Sequence, residues 1–319
     1  MLLQTVPQEK AKHISKCLEL AVLLETSANK PGNVNRTTSF ESTHYEHFLA
    51  SAVAIASSFE CAAEQGVLVS RGKIHVGDVG LGRIIKNSVE NVNAWQHGGN
   101  TLLGTTILLS PIAVAAGMTS AKEHVFKIPK LRKNVKLVVE STTPEDAVNV
   151  YEAIKSANPG GLGTVPELDI NDPVSINKIH KERISLYHIF EIASKYDVVC
   201  SEWVNNYPIT FDVAYPYLME QIRKTNDINV AIIHTFLKVL AGHPDTLIAR
   251  KTNREKGLEV SFKAEEILRL GGLESSSGRK SLGEFDRGLR KSSNLLNPGT
   301  TADIIAAALA LSVLSGYRP

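Results

Sequence analysis

Apolar residues recur with a helical period along almost the whole chain, while the alternation of a half-buried strand is nearly absent. Residues 8–25 place Ile14, Leu18, Ala21 and Leu24 on one face, and residues 44–64 do the same with Phe48, Val53, Ile55 and Phe59. The same reading gives helices at 79–95, 101–117, 181–195, 212–224, 227–241, 258–270, 281–292 and 301–315. Ser141 to Asp146 is a helix start, with a threonine cap, a proline in the first turn and acids at the positive end of the dipole. Val135–Val139 and Val198–Cys200 read as short extended pieces. The expected fold class is all-α: a single large helical bundle of more than ten helices, one domain over residues 1–319. A chain of 319 residues, 43% of them apolar, has ample material for such a core.

Charge and composition narrow the function classes. A net charge of +2 and 6% aromatics give neither the basic surface nor the stacking platform of a nucleic-acid binder. Two apolar runs, Leu102–Met118 and Ile304–Gly316, invite a membrane reading. The first is interrupted by hydroxyls and Pro111, and the second is too short to span. Both read better as central helices of a soluble bundle. The first residues carry only a short apolar run before charged ones, unlike a signal peptide. The expected location is cytoplasmic, with small-molecule partners and no nucleic acid or membrane; a homo-oligomer is left open. Cys17, Cys61 and Cys200 show no metal-type pairing, and Cys17 and Cys61 read as core residues. Residues 157–175, rich in Gly, Pro and Asp, read as a lid-like loop. Residues 122–136, rich in Lys and Arg, are either a solvated helix face or a phosphate-attracting patch.

Four loops break the helical pattern with a shared vocabulary of Gly, Pro, Asn and Asp. In the first, Glu25 precedes the turn Lys30-Pro31-Gly32, and Lys30 and Arg36 can aim at an anion. In the second, Gln96-His97-Gly98-Gly99-Asn100-Thr101 opens the most apolar helix of the front half. Its free N–H groups offer an anion site, or Asn100 and Thr101 serve simply as caps. In the third, Asp245 opens a helical turn with Arg250 and Lys251 further along. That suits a magnesium triphosphate or a hydroxyl needing a base, or else Asp245 is a helix cap. In the fourth, Asn297-Pro298-Gly299-Thr300-Thr301 leads into an apolar helix with Asp303 in its first turn.

In order and spacing, KPGNVNR at 30–36, NTLLG at 100–104, DTLIARK at 245–251 and NPGTTAD at 297–303 resemble the triphosphoribosyl-dephospho-CoA synthase family over nearly the whole chain. The wording HGGNTLLG and HPDTLIARK is similar to its archaeal branch. The resemblance implies a glycosyl transfer in which a ribose hydroxyl of dephospho-CoA displaces adenine from C1 of the ATP ribose. The triphosphate stays on the transferred sugar. Such chemistry calls for a base, an acid for the purine, and cations with Mg²⁺ for the phosphates. The resemblance implies Glu25, Asp245 and Asp303 as catalytic carboxylates, with Asp245 and Asp303 also holding Mg²⁺. It implies Lys30, Asn33, Arg36, His97, Asn100, Thr101, Arg250, Lys251, Asn297 and Gly299 as contacts to ATP and its partner substrate.

Two departures bear on the acceptor. The family's Asn-Thr-His-Lys-Gly is here Asn100-Thr101-Leu102-Leu103-Gly104, and Asn35 stands for the usual Asp. His97 and the basic run 122–136 are the available replacements for the lost charge. The expectation is little synthase activity on dephospho-CoA, with transfer of a phosphoribosyl-type group to another acceptor, as in assembling a different archaeal cofactor. A nucleotide-binding protein without turnover is the alternative. A purely structural protein would leave the four motifs apart in space.

Overall fold

The computed structural model describes residues 7–319 apart from positions 123, 164, 166, 292 and 293. Its front half runs through α1 (Pro7–Ser27), α2 (Tyr45–Ser70), α3 (Leu81–Trp95) and α4 (Leu103–Met118). A two-stranded antiparallel hairpin, β1 (Ala121–Lys122) with β2 (Val125–Phe126), leads to α5 (Ile128–Glu140) and α6 (Pro144–Ala157). Next come α7 (Pro173–Glu182), α8 (Leu186–Ala193) and α9 (Val198–Val204), then a π-helical segment, Ile209–Ala214, that runs directly into α10 (Tyr215–Thr225). The chain closes through α11 (Ile228–Gly242), α12 (Thr246–Lys251), α13 (Arg254–Arg269), α14 (Ser276–Arg290) and α15 (Gly299–Leu314). The fold is all-α, as the periodicity requires.

The two helices without a polar face occupy the centre. In α4, 14 of 16 residues are buried, and in α15, 13 of 16. α4 packs on α1, α2, α3, α5 and α15, and α15 packs on α1, α10, α11 and the π-helical segment. Ser110 and Ser312 turn their hydroxyls back onto their own helices, Ser110 Oγ donating to Thr106 O at 2.8 Å and Ser312 Oγ to Leu309 O at 2.8 Å. Pro111 withholds the N–H that would meet the carbonyl of Ile107. The buried indole of Trp203 supplies the donor instead, Nε1 to Ile107 O at 3.1 Å. Tyr207 adds a bond to Leu108 O at 3.1 Å. α2 is long and apolar enough to cross a membrane by length and composition, and it packs on α1, α3 and α4.

Several local expectations are corrected. Val135–Val139 and Val198–Cys200 are helical, in α5 and α9. Their valines suggest strand propensity, yet Leu131, Val135, Val138 and Val139 form one buried helical face. Asp197 caps α9 by accepting from Val199 N at 2.8 Å and Cys200 N at 3.2 Å. The helix expected at 181–195 is split by Arg183, whose φ of 55° ends α7 before Ser185 caps α8. The lid-like loop ends early, because Asp172 and Pro173 begin α7. Cys17 is buried as expected, whereas Cys61 is exposed. The basic run becomes the hairpin and α5. Its Arg132 is held by Asp212 at 2.6 and 2.8 Å and lies over the Phe211 ring.

Close approach of α2 and α4 depends on two glycines. A Cβ on Gly66 would meet Val114 O at 1.9 Å, and one on Gly117 would meet Ala63 O at 2.2 Å. Backbone cannot yield there as a side chain could, so Gly66→Val is expected to destabilise by roughly 1–3 kcal/mol or more. Urea denaturation would show this as a lower midpoint at unchanged slope.

Candidate active site

A cavity of about 640 Å³ opens where all four loops meet. Residues from each loop line it: Glu25 and Asn33, then Asn100 and Thr101, then Arg250, then Asn297, Gly299 and Asp303. The loops also brace one another. A Cβ on Gly32, whose φ is 71°, would press on Leu289 and Pro298 at 3.0 Å or less. Gly32 N donates to Asp286 at 2.8 Å, and Arg290 Nη2 reaches Asn33 O at 2.6 Å. The second loop is fixed by Ser51 and Thr101, whose hydroxyls share a 2.7 Å bond, and by Asn100 Oδ1, which accepts from Leu103 N at 3.1 Å.

Asp303 lies at the start of α15, facing the start of α4. Thr105 Oγ1 donates to its Oδ1 at 2.6 Å. The approach is so close that a Cβ on Gly104 would stand 2.0 Å from Asp303 Oδ2, so a side chain here would have to displace the carboxyl. Desolvation pushes the Asp303 carboxyl up to about 8, reinforced by the nearby Glu25 and Asp245 and opposed by the Thr105 bond. A carboxyl held that high keeps its proton at neutral pH and can give it away. Nearby, Asn297 is a lining residue whose Oδ1 is buried without a protein partner among the described residues.

The remaining expected residues fall behind or beside this cavity. Lys30 is 1% exposed and sits behind Glu25, pairing with its carboxylate at 3.0 Å and donating to Ala28 O at 3.3 Å. Burial lowers its pKa, against the pull of Glu25. Lys30 therefore neutralises the cavity wall and is not placed to grip an anion. Asp245 is not a lining residue. Its Oδ1 accepts from Leu247 N and Ile248 N at 2.9 and 3.2 Å, and its Oδ2 from Thr301 N and Oγ1 at 2.7 and 2.8 Å. With both oxygens occupied, Asp245 latches α12 to α15. An Mg²⁺ site shared by Asp245 and Asp303 does not fit this arrangement, and the described residues hold no group of three or more His, Cys, Asp or Glu able to bind a metal. Arg250 lines the cavity but is paired with Asp197. Lys251 donates to Asn294 O at 3.3 Å, and its stem lies under Gly160 and Gly161 of the lid. Arg36 and His97 are exposed and outside the lining.

Sequence reading missed one whole wall. Tyr151 and Ile154 of α6, Phe190 of α8, Leu162 and Leu168 of the lid, and Tyr196 also line the cavity. On α6 and α8 such apolar residues carry no signal separating them from core, and those of the loops stand in no motif. Thr105 was discoverable, since it lies one helical turn beyond Thr101 on the same face.

The buried Glu25–Lys30 pair yields a stability test. Lys30→Met strands a buried carboxylate and is expected to cost roughly 3–5 kcal/mol. Adding Glu25→Gln should recover most of the loss, which denaturant titration of the single and double variants would reveal as strong non-additivity.

Comparison with known proteins bears on the fold and the family. A solved chain from Archaeoglobus fulgidus, bearing the name triphosphoribosyl-dephospho-CoA synthase, superposes with a TM-score of 0.60. It is 21% identical, covers 85% of this chain and is itself covered in full, which establishes a shared fold. No curated protein matches the sequence. Residues 11–319 match a family description across nearly the whole chain, and the protein belongs to the ATP:dephospho-CoA triphosphoribosyl transferase family.

Proposed function

We propose that the four-loop cavity is where this ATP-using transferase breaks the bond between adenine and ribose, with Asp303 as the acid that protonates the departing base. The observation that carries the reading is the Asp303 carboxyl itself. It lines the cavity, is oriented by Thr105 at 2.6 Å, and is pushed up to about 8 by its surroundings. An acid with a pKa near the working pH is suited to donating a proton to a poor leaving group. Glu25, fixed by Lys30 at 3.0 Å and by Thr26 at 3.3 Å, is the base that receives the acceptor proton. Asn33, Asn100, Thr101, Asn297 and Gly299 bind the substrates from the loops, with Asn297 Oδ1 accepting from a nucleotide N–H or O–H.

Magnesium enters in this reading as the counter-ion of the ATP triphosphate, part of the substrate. The roles of the more distant polar residues are architectural: Asp245 keeps α12 on α15, and Lys251 supports the lid. ATP as donor also supports a cytoplasmic location. The acceptor hydroxyl attacks C1′, the C1′–N9 bond breaks with its electron pair leaving on adenine, and a planar cationic sugar develops between them.

Chromatographic measurement of adenine released from ATP tests the assignment. Asp303→Asn is expected to lower turnover by about 10²–10⁴-fold while ATP affinity changes little. The rate should fall as pH rises through about 8, where Asp303 loses its proton. The same ionisation has a stability signature. A carboxyl raised from about 4 in the unfolded chain holds its proton when folded, so stability declines as pH climbs from there through about 8. Melting temperatures across that range should show a steeper decline in the natural sequence than in Asp303→Asn, where the buried Asp245 and Glu202, also held above their ordinary values by desolvation, remain. A wild-type pH profile retained by Asp303→Asn would reject this residue as the acid.

A further inference from the structure

Among the described residues, none of α14 lines the cavity, yet two of its side chains hold a loop that does. Leu282, Phe285 and Leu289 form the buried stripe of α14, which sets Asp286 and Arg290, one turn apart, on the adjoining flank. Gly32 leaves no room for a Cβ against Leu289, so the first loop lies directly on this helix. Asp286 Oδ1 accepts from Gly32 N at 2.8 Å and from Arg290 Nε at 2.9 Å. Arg290 Nη2 donates to Asn33 O at 2.6 Å, and the guanidinium carbon stands 5.9 Å from the centre of the Phe40 ring. Asn33 and Phe40 both line the cavity. The planar fork thus ties Gly32, through Asp286, to Asn33 and Phe40, a span that a single ammonium cannot reproduce.

Asn33 has little else to fix it. Its side chain makes one bond among the described residues, a long one from Nδ2 to Pro31 O at 3.3 Å. Its own N–H reaches Lys30 O at 3.4 Å, and a second donor to its carbonyl, Asn35 Nδ2, stands at 3.3 Å. The bond from Arg290 is shorter than any of these, carries a charge and comes from a helix. The two carboxylates at the reacting centre have supports of their own: Lys30 holds Glu25, and Thr105 holds Asp303. Loss of Arg290 therefore loosens binding at Asn33 and leaves the proton-transferring groups in place.

We propose that Arg290 is a positioning residue for ATP, acting through the backbone carbonyl of Asn33 to hold Asn33 in the cavity wall. The proposal rests on the reading of this cavity as the ATP site.

A double-variant cycle on the full-length protein tests it, with Mg-ATP affinity measured by titration calorimetry. Arg290→Met, which keeps an unbranched apolar stem beside Phe40, and Asn33→Ala are each expected to weaken Mg-ATP about tenfold. The double variant should also be about tenfold weaker, and not about a hundredfold, because both changes remove the same contact. Adenine release at saturating ATP should fall by no more than about twofold in Arg290→Met, with its pH profile unmoved. Arg290→Lys, the milder change for folding, keeps the charge and should still bind about as weakly as Arg290→Met. Unchanged affinity in Arg290→Met, additive losses in the double variant, or full affinity in Arg290→Lys would overturn the inference. A fall in turnover as large as the fall in affinity would overturn it too, making Arg290 a general support of the fold. Absence of Mg-ATP binding by the natural sequence would instead remove the reading of the cavity, and this inference with it.

Discussion

Charge carried into an apolar interior must be cancelled where it lies, and this requirement organises the molecule around its loops. Three carboxylates enter the region where α1, α4, α12 and α15 meet, and each is cancelled differently. Asp245 collects four hydrogen-bond donors from two helices. Glu25 takes a buried lysine. Asp303 keeps its proton and one threonine. The first solution joins elements, the second makes a neutral wall, and the third leaves a group whose proton can be lost. Asp303 is thus the carboxylate whose neighbours compensate it least.

These solutions are available because α4 and α15 bring no charged side chain to the centre besides Asp303. Their all-round apolar surfaces let them pass through the middle of the bundle, so their first turns open onto one shared space. Gly104 then removes the last obstacle between the two helix starts. A methyl group at that point would push Asp303 away from Thr105, even though the rest of the bundle could stay unchanged.

The periodicity of the chain was enough to establish an all-α fold and the two buried central helices, because a helix without a polar face has few other places to go. It also exposed the four loops, and eight of the residues expected there line the cavity. Cations were harder to interpret. Lys30 and Arg250 look free in sequence, but their partners, Glu25 and Asp197, are set by tertiary packing. Asp245 read equally well as a catalyst or a cap, since local pattern cannot reveal that Thr301 approaches from 56 residues away. The wall of Tyr151, Leu162 and Phe190 was illegible for a related reason. An apolar residue facing a cavity and one facing another helix carry the same periodic signature.

Pro111 leaves the carbonyl of Ile107 without its helical partner, and Trp203 fills the gap. Ile107 lines the cavity, as does Phe190, whose ring meets that of Trp203 edge-on at 4.8 Å between centroids. The chain has two tryptophans, and the other, Trp95, is 64% exposed. A quencher dissolved in the solvent would darken Trp95 and leave Trp203 glowing, so the blue-shifted remainder of the emission comes from a chromophore wedged against the cavity wall. The backbone repair that a proline demands has thus built an optical gauge of cavity occupancy into the protein's own core.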